Sequence, residues 1–343
     1  MSFSGETIDG EDDPGAPSRA FEIPSSAAEV EDLPSGSMEV TVEPAETSWS
    51  AVFDLYSVDD FTGAGQTIVV IDTGYSAYYD NSATIFEYDF GGELNDSSAD
   101  EGSIFSHGSW VAQTVTAEAE EASIIHLKVV PDEGFGASLA DIEEALDFVI
   151  DHADEFDFSA VNLSLGFGNA SEETETSLSD EFAELDALGI FSIVAAGNSG
   201  ENYDDGVNVL AADPNVIGVS AVDNEGAFAG FSQTSKSLTD ITALGVDVKI
   251  ETVFGSSFSL SGTSFAAPQI AGIAARLQQA AQTTIGEDLT DEEFLYILQQ
   301  SGTAIADAET TPAGFKIANG DAAVQYFLDN APSFGPLDDM LIA

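Results

Sequence analysis

Residues 262–272 read Gly-Thr-Ser-Phe-Ala-Ala-Pro-Gln-Ile-Ala-Gly, and the rest of the chain makes chemical sense around the serine near their start, Ser264. A run dense in alanine and glycine continues from there to Ala275. It predicts a helix entered straight after a tight turn, with small side chains that let neighbouring elements come close. Pro268 suits the first turn of that helix, where the N–H groups have no intrahelical partner for proline to remove. Ser264 then stands at a helix N-terminus, where free N–H groups and the helix dipole favour developing negative charge. Two readings of the stretch remain open at this point: a nucleophile poised at that end, or a buried alanine-rich helix capped by Thr263 or Ser264.

A hydroxyl attacks well only when a base takes its proton, so the histidines come next. There are three. His126 lies inside Ser-Ile-Ile-His-Leu-Lys-Val-Val, an apolar run expected as a buried strand, and reads as a packed structural residue. His152 follows a helical pattern rich in acids and reads as a surface residue. His107 precedes Gly108 and Ser109 and opens the apolar segment Trp110 to Val115, which places its imidazole at a loop-to-helix junction, a frequent location for catalysis.

Such a base needs a carboxylate to hold its tautomer. Residues 67–74, Thr-Ile-Val-Val-Ile-Asp-Thr-Gly, supply Asp72 at the C-terminal end of a strand expected to be buried on both faces. Asp-Thr-Gly also suits an aspartic peptidase, but no second Asp-Thr-Gly or Asp-Ser-Gly occurs, and that chemistry would leave Ser264 and His107 unexplained. Residues 190–200, Ile-Phe-Ser-Ile-Val-Ala-Ala-Gly-Asn-Ser-Gly, carry Asn198 in a glycine turn after another buried strand. Its amide either donates to a tetrahedral intermediate or is an ordinary turn residue.

In order along the chain, VVIDTG (69–74), HGSWVA (107–112), VNLSLG (161–166), AAGNSG (195–200) and GTSFAAPQIAG (262–272) resemble the signature segments of the subtilisin-like serine peptidases, the subtilases. Weaker similarity through residues 215–222, 242–246 and 314–325 extends the resemblance over residues 49–328. It implies a serine endopeptidase working through an acyl-enzyme, with Asp72 as orienting acid, His107 as general base, Ser264 as nucleophile and Asn198 as oxyanion donor. Substrate walls would come from Gly134, Phe135 and Gly136 and from Ser164, Leu165 and Gly166, pairing with an extended peptide by strand addition. Ser199, beside the oxyanion asparagine, brings no charge to the primary pocket. Four positions depart from the family pattern: Trp110 stands where a histidine is usual, Gln113 where a glycine is, and Phe265 and Gln269 surround the nucleophile. These imply altered packing near the cleft with the chemistry kept. Two other classes share these residues, a catalytically silent peptide-binding protein of the same fold and a transpeptidase that joins peptides through the same acyl-enzyme.

The expected fold is α/β, a subtilisin-like three-layer arrangement with a mostly parallel central sheet and helices on both faces. Apolar runs at 67–72, 123–130, 160–165, 190–196 and 216–222 alternate with helical patterns such as the amphipathic 138–153, which independently points the same way. Residues Tyr75–Ser106 read as a loop rich in Asp, Asn, Gly and Tyr. Its acids either ligate calcium or are solvated, and solvation is the favoured reading, so metal ligands stay unassigned. The connection Ala117–Ala122 is too short for a calcium-holding loop that the family often inserts there. No cofactor is required for the chemistry, and a structural calcium is the one ion the resemblance accommodates.

The formal charge of −57, with only six Lys and Arg, excludes nucleic acid and anionic membrane surfaces as natural partners. No cysteine is present, which excludes thiol chemistry and disulfides. Residues 1–48 are polar, acidic and without period, and read as a disordered leader. No apolar stretch is long enough to span a bilayer. The chain ends Leu-Asp-Asp-Met-Leu-Ile-Ala, acids followed by an apolar tip, within a tail of residues 329–343. That tail resembles the C-terminal signals of substrates of one-step ABC-type export machinery, so the expectation is a secreted monomer acting on protein or peptide substrates, the alternative being a cytoplasmic protein with a frayed end.

Overall fold

The computed structural model describes residues 56–91, 105–131, 136–305 and 314–331. The acidic leader 1–48, the tail beyond residue 331, and Gly134 and Phe135 lie outside the described residues.

An apolar run that is buried at every position, as Thr67–Asp72 (β1) is, has no solvated face and belongs in the middle of a sheet. Thr84–Asp89 (β2), His107–Glu118 (α1), Ser123–Lys128 (β3), Leu139–Asp151 (α2) and Phe158–Leu163 (β4) follow. Next come Ser179–Ala187 (α3), Phe191–Ala195 (β5), Ile217–Val222 (β6), Ile241–Leu244 (β7), Val248–Glu251 (β8) and Ser257–Leu260 (β9). The described chain closes with Ala267–Thr284 (α4), Asp291–Ser301 (α5), Thr303–Ala304 (β10), Lys316–Ile317 (β11) and Gly320–Asn330 (α6). Among the described residues nine strands form one sheet in the order β10-β11-β7-β6-β5-β4-β1-β3-β2, parallel throughout except for β10 against β11. β8 and β9 form a separate antiparallel hairpin.

Each face of the sheet has its own core. On one side Ile68, Val70, Ile124, Ile193 and Val219 pack with α1, α4, α5 and α6, and on the other Val69, Ile71, Leu127, Val161 and Val194 pack with α2 and α3. The alternation follows from side chains pointing to opposite faces along a strand. This is the expected three-layer α/β arrangement. The chain builds β2 and β3 on one flank of β1, then returns to place β4 on the other, so the order reverses at β1. Beyond the C-terminal ends of strands at such a switch point lies a crevice, and there the site forms.

The alanine-rich α4 is buried along nearly its whole length. Its small residues let it cross α1 closely: a Cβ added at Gly272 would lie 2.9 Å from the Val115 carbonyl oxygen and 2.6 Å from Glu118 Cβ. Below that crossing Arg276 donates to Phe61 O at 2.8 Å, to Glu118 at 2.7 Å and to Asp321 at 2.7 Å, joining α1, α4 and α6.

Two expectations change. His152 is buried, with Nδ1 2.7 Å from Phe148 O and its ring stacked on Phe148 at 4.2 Å between centroids. It caps α2 on the helix's inward side, where an aromatic neighbour one turn back outweighs the acidic surroundings. The segment expected to be a loop from Tyr75 to Ser106 contains β2, an edge strand whose residues are mostly half-buried and so carry no continuous apolar run.

Candidate active site

Asp72 ends β1 and is buried. The next amide, Thr73 N, donates to Asp72 Oδ1 at 2.7 Å, which fixes the carboxylate's plane. His107 is the first residue of α1, whose N-cap Ser106 accepts from Ser109 N. The loop after β1 and the start of α1 approach closely: Gly108 N donates to the side-chain hydroxyl Thr73 Oγ1 at 2.9 Å, and a Cβ at Gly108 would stand 2.1 Å from Gly74 O. Only glycine permits that approach. Through it His107 Nδ1 comes to 2.8 and 2.9 Å from the two oxygens of Asp72. With Nδ1 donating to the carboxylate, Nε2 is the basic nitrogen. Burial works against the imidazolium, but the charge and hydrogen bond of Asp72 outweigh it and hold the His107 pKa above its ordinary 6.5.

Ser264 sits in a short 3-10 turn, Thr263–Phe265, that leads into α4. Its Oγ donates to Ser164 O at 3.2 Å, and Ser164 Oγ donates back to Ser264 O at 3.0 Å. Ser164 Oγ also accepts from Asn162 Nδ2 at 2.9 Å. The end of β4 and the nucleophile turn are thereby clasped together. On the other side the ring of Phe265 lies 6.0 Å from the His107 imidazole, so the turn packs against the base.

Asn198 is held by Thr263: its Oδ1 accepts from Thr263 N at 2.8 Å and from Thr263 Oγ1 at 3.0 Å. Gly197 N in turn donates to Thr263 Oγ1 at 3.1 Å. With Oδ1 engaged, Nδ2 remains as a donor and lies 3.5 Å from where a Cβ on Gly262 would stand. A pocket of about 230 Å³ opens beside Ser264, lined by Ser164, Leu165, Gly166, Asn198, Ser199 and Gln233 among others, none of them charged. Gln233 forms part of its wall, donating to Gly168 O at 3.2 Å and to Asn169 Oδ1 at 2.9 Å. A larger groove of about 1040 Å³ runs between α1 and the β8–β9 hairpin past Gln113, Glu118 and Glu251, and includes none of the residues just described.

The structure thus brings Ser264, Asn198, Ser164, Leu165, Gly166 and Ser199 to one pocket, and it pairs Asp72 with His107, whose ring lies against Phe265 of the same turn as Ser264. Gly136 is described, with φ 106°, whereas Gly134 and Phe135 are not. Among the described residues no group of three or more His, Asp and Glu is placed to hold a metal ion. His126 is not paired with these groups: it is buried, neither ring nitrogen has a hydrogen-bond partner among the described residues, and burial pushes its pKa down to about 4 against the charge of Asp72. Sequence reasoning gave no role at the site to Thr73, Asn162, Thr263 or Gln233, having named Thr263 only as a candidate helix cap. The first three carried a faint signal, as polar residues at the ends of apolar runs, but Gln233 reaches its partners across 64 and 65 residues of chain and had none.

A family model described as the Subtilase family matches residues 63–316. Alkaline serine protease ver112 of Corniculantispora psalliotae is 32% identical over 234 residues, covering 65% of this chain and 56% of that protein. The Extracellular protease of Xanthomonas campestris pv. campestris is 28% identical over 312 residues, covering 78% of this chain and 52% of that one. The chain therefore spans little more than half the length of these curated relatives. The crystal structure of a cold adapted subtilisin-like serine proteinase superposes with a TM-score of 0.61 at 25% identity, covering 75% of this chain and 89% of that one. With a parallel sheet reversed at β1, an Asp-His pair at its edge, a serine turn beside it and a family match over most of its length, this chain belongs to the subtilase family.

Proposed function

We propose that the chain is a serine endopeptidase acting through an acyl-enzyme. The observation that carries this reading is the Asp72–His107 pair, at 2.8 and 2.9 Å, packed against the turn that carries Ser264, which lines an uncharged pocket together with Asn198. Rotation of Ser264 Oγ off the Ser164 carbonyl lets it donate to His107 Nε2. As Oγ attacks the substrate carbonyl, its proton passes to Nε2 and the imidazolium is stabilised by Asp72. Asn198 Nδ2 donates to the oxygen that takes up the negative charge. His107 then gives the proton to the leaving amine, the acyl group stays on Ser264, and water, deprotonated by the same nitrogen, releases it. A fluorophosphonate probe should label the wild-type protein and not Ser264→Ala. Absence of labelling in folded wild type would remove this reading.

Asn198→Ala is expected to lower kcat by about 10²- to 10³-fold with little change in KM, because the donor is used at the charged intermediate more than in the ground state. Steady-state kinetics check this, and an effect confined to KM would assign Asn198 to binding alone.

The base must be neutral to accept the serine proton, and its folded-state pKa is raised. The rising limb of kcat/KM against pH should therefore lie above 6.5. The sign for stability is opposite: the raised pKa stabilises the fold below pH 6.5, and that contribution fades as pH rises through the folded-state value. The −57 surface charge pushes the same way and is screened by salt, so the limb should move toward lower pH as salt is added. A limb below 6.5 at low salt would contradict this.

The proposal extends to secretion by way of residues 331–343, whose deletion should block export. No helix among the described residues is long and apolar enough to cross a membrane.

A further inference from the structure

Among the large apolar side chains that the fold leaves in water, three belong to the β8–β9 hairpin: Val253 is 53% exposed, Phe254 73% and Phe258 37%. At a loose tip this would mean little, but the hairpin is anchored. Gln113 of α1 pairs with the β8 backbone in both directions, Nε2 donating to Glu251 O at 2.9 Å and Oε1 accepting from Glu251 N at 2.6 Å. Val253 N donates to Tyr78 O at 3.0 Å, in the loop after β1. Trp110, one turn before Gln113, stands edge-on to Phe258 at 5.8 Å between centroids and to His107 at 6.2 Å. Phe254 meets Tyr78 edge-on at 5.7 Å. Trp110 and Gln113 are two of the positions where the chain departs from the subtilase pattern, and both contact this hairpin. An exposed apolar surface on a rigid support is a feature of binding sites.

Its place relative to His107, reached through Trp110, identifies which part of a substrate it meets. The uncharged pocket lies on the side of Ser264 formed by Ser164, Leu165, Gly166 and Asn198, and suits a side chain of the acyl half. The leaving half must lie along His107, which protonates its amine. The hairpin stands on that side: the Phe258 ring is two ring-to-ring steps, through Trp110, from the imidazole. An extended peptide advances about 3.3 Å per residue, so the second and third residues beyond the scissile bond come within its reach.

We propose that Phe258 and Phe254 form an apolar subsite for the leaving half of the substrate, selecting peptides with an aromatic or large aliphatic side chain two or three residues past the bond cut. This rests on the peptidase reading above and adds the substrate class. The test compares internally quenched peptides with one acyl half and either Phe or Ser at those two positions, together with a nitroanilide of the same acyl half, whose leaving group ends at a single ring. Wild type should favour the Phe peptide in kcat/KM by about tenfold, a ratio that one well-filled apolar contact can supply. Phe258→Ser should bring that ratio below about threefold, and Phe258→Leu should keep most of it, since a large aliphatic group still offers apolar area. Phe254→Ser, at the exposed tip where little packing is lost, should lower the ratio by itself. Nitroanilide cleavage without a Phe preference in wild type overturns this proposal alone, as does a preference that survives both serine variants. Cleavage of neither nitroanilide nor peptide overturns the peptidase reading and this proposal with it.

Discussion

Ser264→Ala is expected to lower kcat by about a millionfold while leaving the fold in place, since in a working triad the nucleophile's loss disables the other members too. Residual turnover above the rate in water would come from Asn198 and substrate binding alone. The structure indicates why folding should survive. Among the described residues Ser264 Oγ makes one hydrogen bond, to Ser164 O, and the reverse bond from Ser164 Oγ to the Ser264 carbonyl remains after the substitution. Losing one such bond costs about 1 kcal/mol. Turnover and thermal unfolding measured on the same preparation separate the two effects. A variant that keeps a tenth or more of wild-type kcat would show that Ser264 is not the nucleophile, as that loss is far below what removal of a nucleophile produces.

Asp72→Asn is expected to cost about 10⁴-fold in kcat through the histidine tautomer. The carboxylate now accepts from Nδ1–H and leaves Nε2 basic. An amide in its place can turn its NH₂ toward Nδ1, which then becomes the acceptor and puts the ring proton on Nε2, where it blocks transfer from Ser264. The asparagine oxygen can still accept from Thr73 N, as Asp72 Oδ1 does at 2.7 Å, but only by turning the NH₂ toward the ring. Local structure and the wrong tautomer therefore come together. A second readout distinguishes this from simple misfolding. The charge of Asp72 is what raises the His107 pKa, so the residual activity should have its rising limb at lower pH than wild type. A fall in kcat with an unmoved limb would place the effect elsewhere.

The candidate site was legible because each group that the subtilase resemblance assigns to it sits at a local landmark. Asp72 ends an unbroken apolar strand, His107 starts a helix after a loop, Asn198 follows a strand into a glycine turn, and Ser264 precedes the alanine-rich α4. Strand ends and helix starts are written in neighbouring residues. The elements missed have the opposite character. β2 is a half-buried edge strand, and β9 is mostly exposed, so neither shows the apolar continuity that marked the central strands. His152 looked solvated by its acidic neighbours, yet the stack on Phe148 depends on the direction in which α2 points.

The sequence by itself determined the alternation of the central buried strands with helices and the α/β class, since periodicity and punctuation are short-range properties of a chain, and its resemblance to the subtilases named the four groups expected to do chemistry. Only the tertiary structure decided the clasp between Ser164 and Ser264, 100 residues apart, and the Gln113 bond to β8, 138 residues away. It also decided that the positions departing from the subtilase pattern on α1 support an apolar hairpin beside the base. Contacts of that kind depend on how the layers stack around the sheet, and no local pattern encodes them because each partner is chosen by the packing of everything between.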